Sequence, residues 1–184
     1  MGKTLENQPR RDRWPLAIPL IAMLTLGLTS CHTQDENHHH YHPEVSVPDG
    51  HEQAFKLFAE GVQIYTWTGT NWLFRAPEAD LYDASRTCVG KHYKGSQGPV
   101  WEATDGSKVV GSVVAKAAAY HSNSIPHLLL KAVSSTGNGA FSGITFIQRV
   151  NTEGGVAPAN PGNAIGQEAR VPYHAEYVFY HKEK

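Results

Sequence analysis

The stretch VQIYTWTGTNWLFR, residues 62–75, decides the fold class of this chain. Its first half alternates apolar and polar side chains up to Trp67, which is the pattern of a half-buried strand. The next four residues, Thr68-Gly69-Thr70-Asn71, can form a turn, and a second apolar run begins at Trp72. The stretch therefore predicts a β-hairpin and favours an all-β domain.

Short aromatic and β-branched runs separated by turn residues continue beyond this hairpin. Asp105-Gly106 supplies a tight turn, Pro77 indicates a loop, and residues 151–169 are rich in Gly, Pro and Asn. The helix candidates, residues 51–58 and 115–119, fit strands equally well. We predict a single β-sandwich or barrel-like domain of about eight short, mostly antiparallel strands. The further strands are predicted over residues 89–93, 100–103, 108–120, 128–133, 144–150 and 173–181.

The first 30 residues have the features of a bacterial export signal. Arginines precede an uncharged apolar run from Leu16 to Leu28. That run is shorter than the roughly 20 residues of a transmembrane helix, so it suits a cleaved signal better than a permanent span. The residues Leu28-Thr29-Ser30-Cys31 resemble the lipobox of bacterial lipoproteins, in which the cysteine is acylated. We predict a signal peptide over residues 1–30 and lipidation of Cys31 with palmitate or a similar acyl chain.

A lipidated Cys31 predicts a location in the cell envelope, on a membrane surface. Two or three acyl chains, at about 0.8 kcal/mol per buried CH₂, make a stable anchor. His32 follows the cysteine, whereas an Asp there resembles an inner-membrane retention signal, so the outer membrane is favoured. Cys88 is then the remaining thiol, and no intramolecular disulfide can form. The apolar surroundings of Cys88 predict a small buried side chain.

Residues 31–50 are predicted to form a flexible tether between the lipid and the domain. The segment is polar, contains prolines at positions 43 and 48, and lacks apolar periodicity. A divalent metal is the one cofactor that it suggests, although a tether without supporting hydrogen-bond partners would hold a metal weakly. The histidines that could bind it lie close together: His38, His39, His40 and His42.

The charge balance argues against a nucleic-acid partner. The whole chain has 16 basic and 17 acidic residues, and residues 1–30 hold four of the basic and two of the acidic ones. The mature part therefore carries 12 basic and 15 acidic side chains, a net charge of −3. Nucleic-acid-binding domains carry the opposite balance.

Six blocks of sequence resemble one protein family. The resemblance is to domain of unknown function 3455, a family of exported bacterial and fungal proteins, over about residues 48–181. It implies one β-rich domain over residues 51–184 and no particular activity. The blocks are GVQIY (61–65), APEADLYD (76–83), VGKHY (89–93), WEATDGS (101–107), IPHLLLK (125–131) and IQRVNTEGG (147–155).

The densest group of polar and aromatic side chains lies on two predicted strands joined by a short turn. Alternate side chains of a hairpin share a face, so His92 could approach Glu102, depending on register. A His in contact with Glu102 or Asp105 can do general acid–base work, as in a small-molecule or glycan hydrolase. In the alternative register, Tyr93 and Trp101 form an aromatic pair. Since no H-E-x-x-H or G-x-S-x-G motif is present, the structural interpretation is favoured.

Two arginines and several aromatic side chains are candidates for ligand binding. Arg149 ends a predicted strand beside a glycine loop, where it could receive an anion or anchor the loop through backbone carbonyls. Arg75 lies near Pro77 and could pair with a neighbouring acid. Tyr93 and Trp101 could stack on an envelope glycan or a small molecule. The acids near Pro77 could also hold calcium: Glu78, Asp80 and Asp83.

Together these features predict a cell-envelope lipoprotein whose β-rich domain has a binding or structural role, and they favour a protein that is not an enzyme. The main alternative is the hydrolase that uses His92 with Glu102 or Asp105. The second alternative is metal binding through the histidine-rich tether.

Overall fold

A computed structural model describes Gly2 and residues 43–184 of the chain. In this part of the chain, eight strands each pair with their neighbours in sequence, and the first also pairs with the last. The sheet therefore closes into an antiparallel barrel, which confirms the all-β prediction. The strands are β1 (His51–Trp67), β2 (Trp72–Tyr82), β3 (Cys88–Lys94), β4 (Pro99–Ala103), β5 (Lys108–Ala117), β6 (His127–Thr136), β7 (Ile144–Gly154) and β8 (Glu168–Lys182).

The hairpin predicted over residues 62–75 joins β1 to β2. Its turn closes with a hydrogen bond from the Thr68 N–H to the Asn71 carbonyl oxygen at 2.9 Å. Gly69 has a φ of +101°, a conformation that glycine adopts without steric cost. The local turn chemistry therefore places the two strands side by side.

Long-range pairing decides one alternative that the sequence left open and corrects one local prediction. Residues 51–58, which we considered as a helix, form the first half of β1, because β8 pairs with them along their length. Pro77 lies inside β2, opposite Gln63, and not in a loop. Pairing between β2 and β3 starts only at Glu78. The missing N–H of Pro77 therefore falls where a strand edge is open.

Alternate side chains of each strand fill the barrel interior. In β8 the inward-facing residues are Tyr173, Ala175, Tyr177 and Phe179, each at most 4% exposed. This period of two follows from strand geometry. A barrel of eight strands is just wide enough to be filled by side chains or to hold one small ligand.

Phe141 closes the end of the barrel at which β1 begins and β8 ends. The side chain lies in the loop between β6 and β7 and is completely buried. Its ring packs against Phe179 and Phe55, with centroids 5.0 and 5.9 Å away. An aromatic plug therefore seals the interior at this end.

Two loops, residues 118–126 and 155–167, lie at the opposite end of the barrel. The Tyr65 hydroxyl donates a hydrogen bond to the Gly155 carbonyl oxygen at 2.6 Å. Gly155 has a φ of +82°. A Cβ atom added at this glycine would lie 2.9 Å from the Cβ of Tyr173, so the close approach of the loop to the core requires glycine.

The packed domain starts earlier than the sequence predicted. Pro43–Val45 forms a 3-10 helix, and Val45 is completely buried in a small cluster with Leu129 on the outer wall. The Gln148 side chain donates a hydrogen bond to the Val45 carbonyl oxygen at 2.8 Å. The predicted tether over residues 31–50 is therefore too long at its C-terminal end, because Val45 buries apolar surface.

The predicted signal peptide, Cys31 and the N-terminal part of the tether lie outside the described residues. Between residues 43 and 184, the structure contains no helix with the length and apolar character that a membrane span requires.

Candidate functional site

A cavity of about 210 Å³ lies inside the barrel, and its wall is mostly apolar. Every strand contributes at least one side chain to it, so the cavity exists only in the closed barrel. One contributor from each strand, in chain order, is Gln63, Pro77, His92, Trp101, Val113, Leu130, Arg149 and Tyr177.

The mouth of the cavity lies beside the short hairpin of β3 and β4. Pairing of β2 with β3 starts only at Glu78, and β5 pairs with β4 only as far as Val110. The remaining parts of β2 and β5 border a gap above this hairpin. Phe74 and Val113, one from each strand, line the cavity and are 47% and 51% exposed. The mouth therefore has a largely apolar rim, to which the exposed Lys94 adds a positive charge.

His92 is a buried and uncharged member of the cavity wall. Its Nδ1 lies 2.9 Å from the carbonyl oxygen of Val100. We assign the proton to Nδ1, since a carbonyl only accepts hydrogen bonds, and this leaves Nε2 as an acceptor. Burial lowers the pKa of His92 to about 3; the hydrogen bond to Val100 opposes this effect and the charge of Arg149 adds to it. The ring is therefore neutral near pH 7.

Trp101 and Tyr177 form an aromatic cluster with His92. The rings of His92 and Trp101 stack with centroids 4.4 Å apart, and Tyr177 meets Trp101 edge-on at 5.2 Å. Among the described residues, the Trp101 Nε1–H, the Tyr177 hydroxyl and the Gln63 side-chain nitrogen make no hydrogen bond of good geometry. The Tyr177 and Gln63 side chains do lie near the Tyr173 hydroxyl, and Tyr177 also lies near Arg149. Buried polar atoms are normally paired. These atoms therefore mark a place for a ligand or for water.

Tyr173 adds another buried hydroxyl that lacks a hydrogen-bond partner of good geometry within residues 43–184. Burial raises the pKa of both Tyr173 and Tyr177. Arg149 lies close enough to lower both values in part, although its effect is the smaller one. Both hydroxyls therefore keep their protons and can donate hydrogen bonds.

Arg149 reaches the same cavity from β7. Its Nε and Nη2 atoms donate hydrogen bonds to the Pro126 carbonyl oxygen, at 3.1 and 2.8 Å. The side chain thus anchors a loop, as one of our two interpretations required, but the loop is residues 118–126 and not residues 151–169. None of the ion pairs within residues 43–184 involves Arg149. The guanidinium is therefore held in place with no acidic partner.

His92 and Glu102 do not meet as the hydrolase hypothesis requires. His92 pairs directly with Trp101, so these two side chains share the inner face, and Glu102 points outward. On the outer face, Glu102 accepts a hydrogen bond from the Tyr93 hydroxyl at 2.7 Å and pairs with Lys108 at 3.0 Å. These hydrogen bonds hold the pKa of Glu102 below its usual value. Tyr93 therefore does not pack on Trp101 either.

Asp105 holds a turn together and lies away from His92. Its carboxylate accepts hydrogen bonds from the backbone N–H and the hydroxyl of Ser107, at 2.8 and 2.6 Å, and from the Ala140 N–H at 2.8 Å. The Ser107 hydroxyl is the main cause that lowers the pKa of Asp105. Asp105 thus connects the β4–β5 turn to the loop that carries Phe141.

The acidic residues near Pro77 are spread over the outer surface. Glu78 pairs with Arg170, and Asp83 accepts hydrogen bonds from two backbone N–H groups of the turn after β2. Arg75 is the extra residue of a β-bulge and forms no ion pair within residues 43–184, so its predicted pairing was wrong. In the same range, no three His, Cys, Asp or Glu side chains are grouped in a way that could hold a metal ion.

Cys88 is an exposed free thiol, whereas the sequence predicted a buried side chain. It is the first residue of β3 and follows an exposed turn, so no neighbouring element covers it. Lipidation of Cys31 and metal binding by the tether fall on residues outside the described part of the chain and stay predictions. The tether residues concerned are His38, His39, His40 and His42.

Sequence analysis missed three polar side chains of the interior: Gln63, Tyr173 and Tyr177. Tyr173 and Tyr177 are four positions apart in one strand and therefore share a face. Gln63 is a polar residue at an inward position of β1, where apolar side chains are the rule. A polar residue at an inward-facing position of a strand was therefore the feature of the sequence that could have identified Gln63 as part of the site.

The family described as "Protein of unknown function (DUF3455)" matches residues 48–181. No curated protein and no solved structure matches the chain. The matched segment includes nearly the whole barrel and the side chains of the cavity wall. Since the match covers most of the chain, the protein belongs to the DUF3455 family.

Proposed function

We propose that this protein is a cell-envelope lipoprotein whose barrel binds a small ligand. The observation that carries the proposal is the cavity, which receives side chains from all eight strands. The deeply buried Trp101 and Tyr177 belong to its wall, and its mouth has a largely apolar rim. Most of the wall is apolar and a few polar atoms converge on it, which is the usual composition of a small-molecule site.

A substitution that fills the cavity should abolish binding while the barrel stays folded. Leu128 lines the cavity and pairs with Arg149. The variant Leu128→Trp should weaken the binding of 1-octanol or octanoate by roughly tenfold or more, because the larger ring occupies the ligand volume. Isothermal titration calorimetry measures the affinity, and circular dichroism checks the fold.

The matched control is Val133→Trp, on the same strand. Val133 is 54% exposed and faces away from the cavity. This control should bind both compounds like the unmodified protein. Equal loss of affinity in the two variants, or equal retention, would show that the ligand binds elsewhere.

The location in the envelope rests on the sequence pattern of residues 1–31. We expect Cys31 to be acylated and the signal peptide to be removed, so that the barrel stays on a membrane surface. Cells treated with globomycin should accumulate the uncleaved precursor. The variant Cys31→Ser should not incorporate labelled palmitate, whereas Cys88→Ser should. Normal processing under globomycin would contradict the proposed anchor.

A further inference from the structure

Arg149 carries a positive charge into an apolar cavity without a compensating acid. A guanidinium has five N–H donors, and the Pro126 carbonyl oxygen takes up two of them. No Asp or Glu of residues 43–184 pairs with Arg149. A partly buried charge that lacks a partner is costly. The Tyr177 hydroxyl lies near the guanidinium, and the donors that neither Pro126 nor Tyr177 engages are available to an anion.

The strand that carries Arg149 and the two strands before it contain almost no acidic residues. Between Asp105 and Glu153 the chain has no acidic residue at all, and this segment contains β5, β6 and most of β7. This part of the barrel wall therefore carries basic residues and supplies no acid of its own; of its basic residues, Lys108 pairs with Glu102 of β4. This distribution favours an anion in the cavity over a cation.

Buried polar atoms of the wall that make no hydrogen bond of good geometry point to the same chemistry. Trp101 Nε1 and Gln63 Nε2 are donors only, and the Tyr177 hydroxyl is protonated and can donate. Each of these side chains is at most 2% exposed. Several donors therefore face the cavity, which favours a ligand whose polar end is rich in acceptor oxygens. His92 Nε2, the Gln63 amide oxygen and the Tyr177 hydroxyl oxygen can act as acceptors on the same wall.

We propose that the cavity binds a small monocarboxylate, with its acid group on Arg149 and its apolar body against Pro77, Val113 and Leu130. Two cations line the described cavity wall, the half-buried Arg149 and the exposed Lys94. Since His92 is neutral near pH 7, the half-buried charge of Arg149 is the one that a single negative charge inside the cavity would balance. The volume of about 210 Å³ is below the roughly 300–1,000 Å³ of sites for drug-sized molecules. The inference rests on the proposed ligand-binding function and specifies its ligand class.

The test compares acids with alcohols that have the same apolar body. Octanoate and 1-octanol form the aliphatic pair; 2-naphthoate and 2-naphthalenemethanol form the aromatic pair. The protein is the chain from His32 to Lys184, which keeps the closed barrel and its core. By titration calorimetry at pH 7, at least one acid should bind roughly tenfold or more tightly than its alcohol. The pair in which the acid binds more tightly than the alcohol shows whether the natural ligand has an aliphatic or an aromatic body.

Variants of Arg149 then locate the acid group. Arg149→Gln should remove the preference for the acid, and Arg149→Lys should keep part of it because the charge remains. Lys131→Gln removes an exposed charge from the outer face and should leave the affinity unchanged. The comparison of acid with alcohol uses the unmodified protein, so it decides the question even if Arg149→Gln does not fold.

The outcomes separate this inference from the function on which it rests. Equal affinity for acid and alcohol, abolished by Leu128→Trp, would overturn the carboxylate inference and keep the ligand-binding function. Unchanged acid preference in folded Arg149→Gln would likewise overturn the role of Arg149. Failure of all four compounds to bind the unmodified protein would count against both proposals.

Discussion

Replacing Phe141 by alanine should lower the free energy of unfolding by about 3–5 kcal/mol. The ring is completely buried and packs against Phe55 and Phe179 at the closed end of the barrel. Removal leaves a cavity that the rigid strands cannot fill, so the lost packing adds to the lost burial of apolar surface. Urea unfolding followed by tryptophan fluorescence measures the change.

The control for this variant is Ile165→Ala, since Ile165 is 78% exposed. An exposed substitution of this kind changes stability by about 0.5 kcal/mol or less. If Phe141→Ala were no more destabilising than Ile165→Ala, Phe141 would not plug the barrel.

Replacing Gly155 by alanine should lower the free energy of unfolding by about 2–4 kcal/mol. This loss is larger than the cost of placing a non-glycine residue at a positive φ. The variant Gly155→Ala requires a positive φ, which costs a non-glycine residue roughly 1–2 kcal/mol. The new Cβ would also lie 2.9 Å from the Cβ of Tyr173 and 3.0 Å from Ile125 Cγ2. Both neighbours belong to the packed core, so neither can move away freely.

Gly143 provides a matched control, because it has a φ of +75° and no atom within 4 Å of an added Cβ. Gly143→Ala should show only the backbone cost. The difference between the two variants, measured by urea unfolding, isolates the crowding at the covered end of the barrel. Equal destabilisation by both variants would mean that the loop at Gly155 moves away from the core and relieves the crowding.

The strands could be predicted from the sequence because their signals are local. The alternation and the turn over residues 62–75 are read within a few positions of each other. Closure of the barrel could not be predicted in this way. The contact between Lys56 and Glu176 joins residues 120 positions apart, and no local pattern encodes it. For the same reason residues 51–58 were ambiguous until β8 supplied their partner.

The candidate site was predicted in part. His92, Trp101 and Arg149 were singled out from the sequence, and all three line the cavity. Neither of the two registers considered for His92 occurs: His92 lies opposite Trp101, and a shift of one position in register exchanges the two faces of a strand. Glu102 therefore lies outside the barrel. Tyr177 was missed because an inward-facing tyrosine in a strand looks like an ordinary core residue.

Because all eight strands form the cavity, ligand binding requires the complete barrel. Each of the eight strands supplies part of the wall, and the first strand meets the last. A copy truncated before β8 lacks Tyr177 and leaves the edges of β1 and β7 open to other chains. Pairing between such distant segments is also a slow step in folding. An occupied pocket would therefore distinguish a finished, correctly folded molecule from any fragment of it.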